Sequence, residues 1–246
     1  MRLFRKILLF LLVLSSLLIS YANAEWKFQV FLGKSFTSKS DLRLIQPSRQ
    51  NDLVFHETGY SDASFKSPFY YGLRVGYFPS GSRYFGMEAE FIHAKIYSDA
   101  QQIVHVSGIR QGKPVDSAIR LGDIVQGFSM SHGLNFLFLN LVGRFGLFKN
   151  KSDSSDKVGV YGRMGIGSLI PHIESIIEGE EKEQYELHGP VYQLAAGSEV
   201  NIWEKFNLLF EYKYTFANAK NVKIPYGHAE TELKTNHLVF GVGGKF

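Results

Sequence analysis

Cysteine is absent from the 246 residues, which excludes disulfides, thiolate metal sites, thiol nucleophiles and a lipid anchor on an N-terminal cysteine. Long apolar runs are missing as well: beyond the first 24 residues no stretch of ~18 or more apolar residues occurs, so the remainder holds no spanning helix. What is there is apolar in a different way. The chain is 45% hydrophobic and 15% aromatic, too much for a disordered protein, and its length suits one or two domains.

An excess of one charge is also missing once the N-terminus is set aside. Met1 to Lys6 carries Arg2, Arg5 and Lys6, Ile7 to Ser20 is almost wholly apolar, and Ala22-Asn23-Ala24 has the small-x-small form that signal peptidase cuts. The apolar run is shorter than the ~20 residues that cross a bilayer. Residues 1–24 therefore read as a cleavable export signal and 25–246 as the mature domain, beginning at Glu25. The signal takes three of the 27 Lys and Arg, leaving 24 against 23 Asp and Glu. That near balance removes the main support for a nucleic-acid partner.

Read at period two, the mature chain holds about eight segments with one apolar and one polar or small face. Trp26, Phe28, Val30 and Leu32 alternate with Lys27, Gln29 and Gly33, with Phe31 as an exception. Tyr71, Leu73, Val75 and Tyr77 oppose Gly72, Arg74 and Gly76, and Phe85, Met87, Ala89 and Phe91 oppose Gly86, Glu88 and Glu90. A less regular segment spans Ser129 to Phe145, where Leu134, Phe136 and Phe138 share a parity opposite Asn135. Val158, Val160, Met164 and Ile166 oppose Tyr161, Arg163, Gly165 and Gly167; Tyr192, Leu194, Ala196 and Val200 oppose Gln193, Gly197 and Glu199. Phe206, Leu208, Phe210, Tyr212 and Tyr214 oppose Glu211 and Lys213, and Leu238, Phe240, Val242 and Phe246 oppose His237, Gly241, Gly243 and Lys245.

A soluble β-sandwich also alternates, but here the polar face is rich in charge and glycine while the apolar face is unusually aromatic. A barrel with lipid outside and a small polar core inside accounts for both, because backbone groups in lipid need complete internal pairing. The connections alternate strictly. Pro79 to Tyr84, Lys149 to Lys157 and Ile202 to Lys205 are short or purely polar; Thr37 to Pro68, Tyr97 to Gln126, His172 to Gly189 and Ala217 to Lys234 are long. Short periplasmic turns facing long outward loops give that pattern. The expectation is an all-β fold, a closed antiparallel transmembrane β-barrel of eight strands, or ten if the first or second long loop hides a hairpin.

On these residues the chain resembles the OmpA/OmpX-like outer-membrane β-barrel proteins, often described as surface antigens. The likeness is carried by FYYGLRVGYF and GMEAE within Phe69 to Glu90, by LNFLFLNL at Leu134, by YGRMGIG at Tyr161, by EYKYTF at Glu211 and by HLVFGVGGKF from His237 to Phe246. It implies residence in the outer membrane of a Gram-negative-type bacterium, in contact with lipid and lipopolysaccharide. A terminal Phe246 with Leu238, Phe240 and Val242 at alternate positions upstream is similar to the signal such proteins present to the barrel assembly machinery. The peptidoglycan-binding domain that some relatives append is not expected.

Candidate chemistry is thin. His105-Val106-Ser107 has the His-x-Ser spacing of outer-membrane lipid A deacylases, but it falls in the second long loop and its neighbours do not match. His132 follows Ser131 in the reverse order. No close His pair or carboxylate cluster stands at metal-ligand spacing, and the acidic run Glu178 to Glu186 reads as a solvated loop. Gly162 to Gly167 lacks the spacing of a phosphate loop and reads as small inward positions. No cofactor, metal or catalytic residue is expected. The inward charges Arg74, Glu88, Glu90, Arg163, Glu211 and Lys213 read as a polar core, with Arg74 beside or diagonal to Glu88 and Glu90, since about eight strands make a barrel that side chains fill. The function expected is non-enzymatic surface contact through the outward loops, with a host or cell-surface ligand; the alternatives are a narrow channel for small solutes and a lipid-modifying enzyme.

Overall fold

The structure is a computed structural model and describes residues 24–82, 84–149, 156–203 and 205–246; all but the last residue of the segment read as an export signal, and the middle of the polar turn after Lys149, lie outside them. The strands are β1 (Glu25–Thr37), β2 (Ser40–Gln46), β3 (Asn51–Thr58), β4 (Tyr60–Ser61), β5 (Tyr71–Phe78), β6 (Phe85–Ser98), β7 (Ile103–Arg110), β8 (Lys113–Arg120), β9 (Val125–Lys149), β10 (Asp156–Ile177), β11 (Glu180–Tyr185), β12 (His188–Asn201), β13 (Phe206–Ile224) and β14 (Gly227–Lys245). Among the described residues there is no α-helix.

A ring of 8 strands forms the body, each antiparallel to the next in the order β1, β5, β6, β9, β10, β12, β13, β14. Its seam is the pairing of β1 with β14, from Lys27 opposite Lys245 to Thr37 opposite Thr235. Alternation then sorts the side chains. Trp26, Phe28, Val30 and Leu32 are exposed on the outside of β1, while Lys27 and Gln29 are buried inside. The parity exception, Phe31, also points inward. It fits because Gly72 and Gly241 stand directly opposite on the two neighbouring strands; a Cβ on Gly72 would lie 2.1 Å from the Phe31 ring.

Two expectations need correction. On β9 the residues Leu134, Phe136 and Phe138 are buried inside, and it is Leu137, Leu139 and Leu141 that face out, with Asn140 inside. The second correction explains this one: the four long connections are not open loops but continuations of the sheet. β9 with β10, β10 with β11, and β13 with β14 extend as hairpins well past the ring, while β2–β3 and β7–β8 add a four-stranded flap to the outer end of β14, in the order β14, β2, β3, β7, β8.

In this hairpin half the two faces exchange character. Along β14, His228, Glu230, Glu232 and Lys234 face out over buried Ala229 and Leu233; further on, Leu238, Phe240 and Val242 face out over buried His237. Inside the hairpin half lies an apolar core that includes Leu42, Leu44, Leu53, Phe55, Val104, Val106, Ile173 and Ile224. A fully buried side chain of this size stabilises by about 1.5–3 kcal/mol, so this core, continuous with Phe31 and Val239 of the ring, does much to hold the hairpins in place. β9 crosses from one regime to the other, which places Leu134, Phe136 and Phe138 at the floor of that core.

The hairpin tips meet. Glu178, its side chain 13% exposed, accepts from Arg49 Nη1 at 2.9 Å and from Arg110 Nη2 at 3.4 Å. The Arg49 guanidinium also lies 4.1 Å from the centre of the Tyr226 ring, and Gln46 donates to the Pro225 carbonyl at 2.8 Å. Ion pairs with a partly exposed partner are worth about 0.2–1 kcal/mol each. Glu178→Ala is therefore expected to cost about 1 kcal/mol and to speed amide exchange in these tips while exchange in the ring is unchanged; equal acceleration in the ring would show that the tips and ring open as one unit.

Candidate functional site

The ring interior is crossed by one charged network. Arg74 on β5 donates to Glu90 on β6 and Glu211 on β13, both at 2.8 Å, and to Gln29 on β1 at 2.8 Å; its Nε stands 3.5 Å from Glu88. Arg163 on β10 contacts Glu88 at 2.5 Å and also pairs with Glu211. Lys213 on β13 pairs with Glu90 and stands 3.3 Å from Glu211. Asn140 on β9 and Gln193 on β12 each donate to the second Glu90 oxygen at 2.7 Å. All six of Arg74, Glu88, Glu90, Arg163, Glu211 and Lys213 are buried, each 4% exposed or less. Three cations meet three carboxylates, so the cluster carries no net charge. Nearer the short-turn end, the buried Lys27–Glu199 pair joins this network through Gln29, which donates to Glu199 at 2.9 Å and accepts from Arg74.

Strand geometry produces this meeting. Arg74 stands opposite Glu90, and Gly76 opposite Glu88, in the β5–β6 ladder, which makes Arg74 adjacent to one carboxylate and diagonal to the other. The contacts with Glu211, Arg163 and Lys213 cross the ring and depend on its curvature. Phe31 supplies an apolar wall, with Arg74 and Lys213 each 4.9 Å from its ring centre. In the glycine-rich segment Gly165 points inward, where a Cβ would meet Asn140 at 2.0 Å; Gly162 faces out, a correction to its inward assignment.

The outer face of the flap holds a second constellation. Ser107 is met by His56 across β3, not by His105 two residues before it: His56 Nε2 lies 2.8 Å from Ser107 Oγ, and His56 Nδ1 lies 3.2 Å from Asp41. His105 stacks on His56 at 5.5 Å and pairs with Asp116 at 2.9 Å. Acid, imidazole and hydroxyl stand in the order that nucleophilic catalysis uses. Backbone donors of the kind that hold an oxyanion are not free on β7. β7 is flanked by β3 and β8, so its backbone N–H groups are engaged in ladder bonds within the sheet plane. Nearby, the Arg43 guanidinium at 2.8 Å holds the Asp52 carboxyl below its ordinary range. A carboxyl held low in the fold stabilises it above the unfolded value and releases that stability as pH falls through the folded one.

The structure also gathers a His and carboxylate cluster where none was expected. His172 and Glu174 on β10 face Glu183 on β11, and one ligand atom from each lies within 4.8 Å of the other two. The residues are eleven or fewer positions apart in sequence, but only the β10–β11 register, with Glu174 opposite Glu183, makes them neighbours. Ser131 donates to Glu174 at 2.6 Å; the side chain of His132 lies outside the described residues.

Residues 8–246 match the family described as "Outer membrane protein beta-barrel domain". The chain belongs to that family, and its place is the outer membrane. No curated protein matches it. Among solved structures it is similar to the N-terminal β-barrel domain of Pseudomonas aeruginosa OprF, at 13% identity over 90% of this chain and 97% of that one, with a TM-score of 0.44. It is similar to the attachment invasion locus protein Ail of Yersinia pestis at 13% identity, over 91% and 99% of the two chains, with a TM-score of 0.39. The Escherichia coli outer membrane protease OmpT is 8% identical over 92% and 96%, with a TM-score of 0.41.

Proposed function

We propose that residues 25–246 form a closed, eight-stranded transmembrane barrel that conducts no solute and serves as a rigid pedestal for a surface-contact body built from the outward hairpins. The observation that carries this reading is the neutral network of Arg74, Arg163, Lys213, Glu88, Glu90 and Glu211 across the ring. It fills the interior with paired groups, and an apolar core stacks directly above it. The β2–β3 and β7–β8 hairpins hang from the edge of β14 and leave the ring at eight strands.

The exposed apolar belt faces lipid in this reading, with Trp26, Phe85, Trp203 and Phe206 forming an aromatic girdle at the short-turn end. Residues 1–24 serve export, and the short turns then stay in the periplasm as in other barrels of this kind, with the hairpin body toward lipopolysaccharide and other cells. The contact surface is non-enzymatic.

Purified protein in planar bilayers is expected to show no stepwise conductance, and unboiled protein should migrate differently from boiled protein while giving a strand-dominated circular dichroism spectrum. Large uniform conductance steps would replace the pedestal with a channel. Deleting residues 103–120, the β7–β8 hairpin at the free edge of the flap, should preserve the gel shift and reduce cell adhesion; unchanged adhesion after deletion of each hairpin in turn would remove the contact role.

A further inference from the structure

We propose that His172, Glu174 and Glu183 form a site for a single divalent transition-metal cation of the Zn2+ type on the β10–β11 hairpin. Three observations converge on it. The first is the ligand set: an imidazole and two carboxylates whose donor atoms lie within 4.8 Å of one another. Tetrahedral Zn2+ with bonds of about 2.0–2.2 Å places its ligands roughly 3.3 Å apart, so side-chain torsions of the glutamates close the remaining gap without backbone movement.

The second is the register. Glu174 and Glu183 are directly opposed across the ladder, a position where like charges repel. The imidazole sits between them, 2.7 Å from Glu183 through Nε2 and 3.6 Å from Glu174 through Nδ1. A dication bound to one ring nitrogen and both carboxylates neutralises the pair more fully than the single close contact to Glu183 does.

The third is the support. His172 is 5% exposed and its ring lies 4.2 Å from the Tyr185 ring, centre to centre. Ser131 Oγ donates to Glu174 Oε1 at 2.6 Å, the kind of outer contact that fixes a ligating carboxylate. Glu183, with a side chain 58% exposed, supplies an open approach from solvent. Imidazole together with carboxylate suits Zn2+ and its neighbours better than Ca2+ or Mg2+, which prefer all-oxygen ligands. The β10–β11 hairpin lies beyond the ring, so the cation would reach it from the hairpin side.

The test is titration of Zn2+ into untagged full-length protein refolded in detergent, followed calorimetrically, with Mg2+ as the control. One Zn2+ per chain is expected, with no comparable Mg2+ binding. Glu183→Gln, an exposed isosteric change, and His172→Ala should each weaken Zn2+ at least ~tenfold, and Ser131→Ala should weaken it by about tenfold through Glu174. The heat-dependent gel shift serves as the folding control, since all three positions lie outside the interior charge network. Amide exchange along β10 and β11 should slow when Zn2+ is added to the wild type and stay unchanged in Glu183→Gln. Zn2+ binding that is absent, or identical in wild type and Glu183→Gln, would overturn the site and leave His172 as an imidazole paired with Glu183 beside Glu174.

Discussion

Deleting Phe246, or replacing it with Asp, is expected to leave export intact while largely abolishing insertion into the outer membrane, with unfolded chain accumulating in the periplasm. The local energetics alone predict far less. Phe246 is 71% exposed on the ring exterior, and its backbone exchanges hydrogen bonds with Trp26 at 2.8 and 2.9 Å, closing the last rung of the β1–β14 seam. Full burial of a phenylalanine is worth about 1.5–3 kcal/mol, and two hydrogen bonds at the end of a long ladder add little more. Leu238, Phe240 and Val242 repeat the outward apolar parity upstream. If that stripe is what the assembly machinery reads, the loss in cells should greatly exceed the loss measured on refolding into detergent, where no machinery acts. Normal outer-membrane levels of the deletion variant would sink the proposed signal; equal losses in cells and in detergent would show that the residue acts through stability alone.

Arg74→Ala is the second large effect. It leaves Glu90 and Glu211 each with one fewer cation in a buried site, and removal of one partner from such a pair costs about 3–5 kcal/mol. The network geometry makes a sharper prediction than the total. Glu90 accepts from Arg74 at 2.8 Å, whereas Glu88 is held at 2.5 Å by Arg163 and only 3.5 Å from Arg74 Nε. In urea unfolding, Glu90→Gln should therefore rescue more of the Arg74→Ala loss than Glu88→Gln does, with a coupling of about 1–3 kcal/mol for Glu90. Simple additivity in both pairs would mean that the interior charges are not coupled as the ladder places them.

The sequence made the ring legible because its strands other than β9 keep one parity apolar over many residues, as Trp26 to Leu32 and Leu238 to Val242 do. The inward charges followed from the same parity. What it hid was the hairpin half. There the alternation continues, as in Asp41-Leu42-Arg43-Leu44 or Val104-His105-Val106, but with the opposite phase, so residues that would have faced lipid lower down face a core instead. A search for apolar-outside strands passes over such segments and leaves loops. The mixed segment on β9 was the visible trace of the phase change, since Leu134, Phe136 and Phe138 belong to one regime and Leu139 and Leu141 to the other. The Asp41–His56–Ser107 chain and the His172–Glu174–Glu183 cluster are out of reach of the sequence for a simpler reason: each depends on a ladder register that alternation alone does not set.

The apolar core beneath the hairpins has an immunological consequence. A loop without a core can change sequence and shape together, and a short peptide can imitate it. Here Leu42, Leu53, Phe55, Val104 and Val106 pin the inner faces of β2, β3 and β7, so tolerated substitutions are expected at outward positions and at the turns near Gln50, Gln111, Glu178 and Tyr226. With the hairpin body outward, as proposed, the relief that meets an antibody is assembled from four separate stretches of chain. Sera raised against the folded protein should recognise a discontinuous epitope that disappears on boiling, and linear peptides copied from any one hairpin should absorb little of that response.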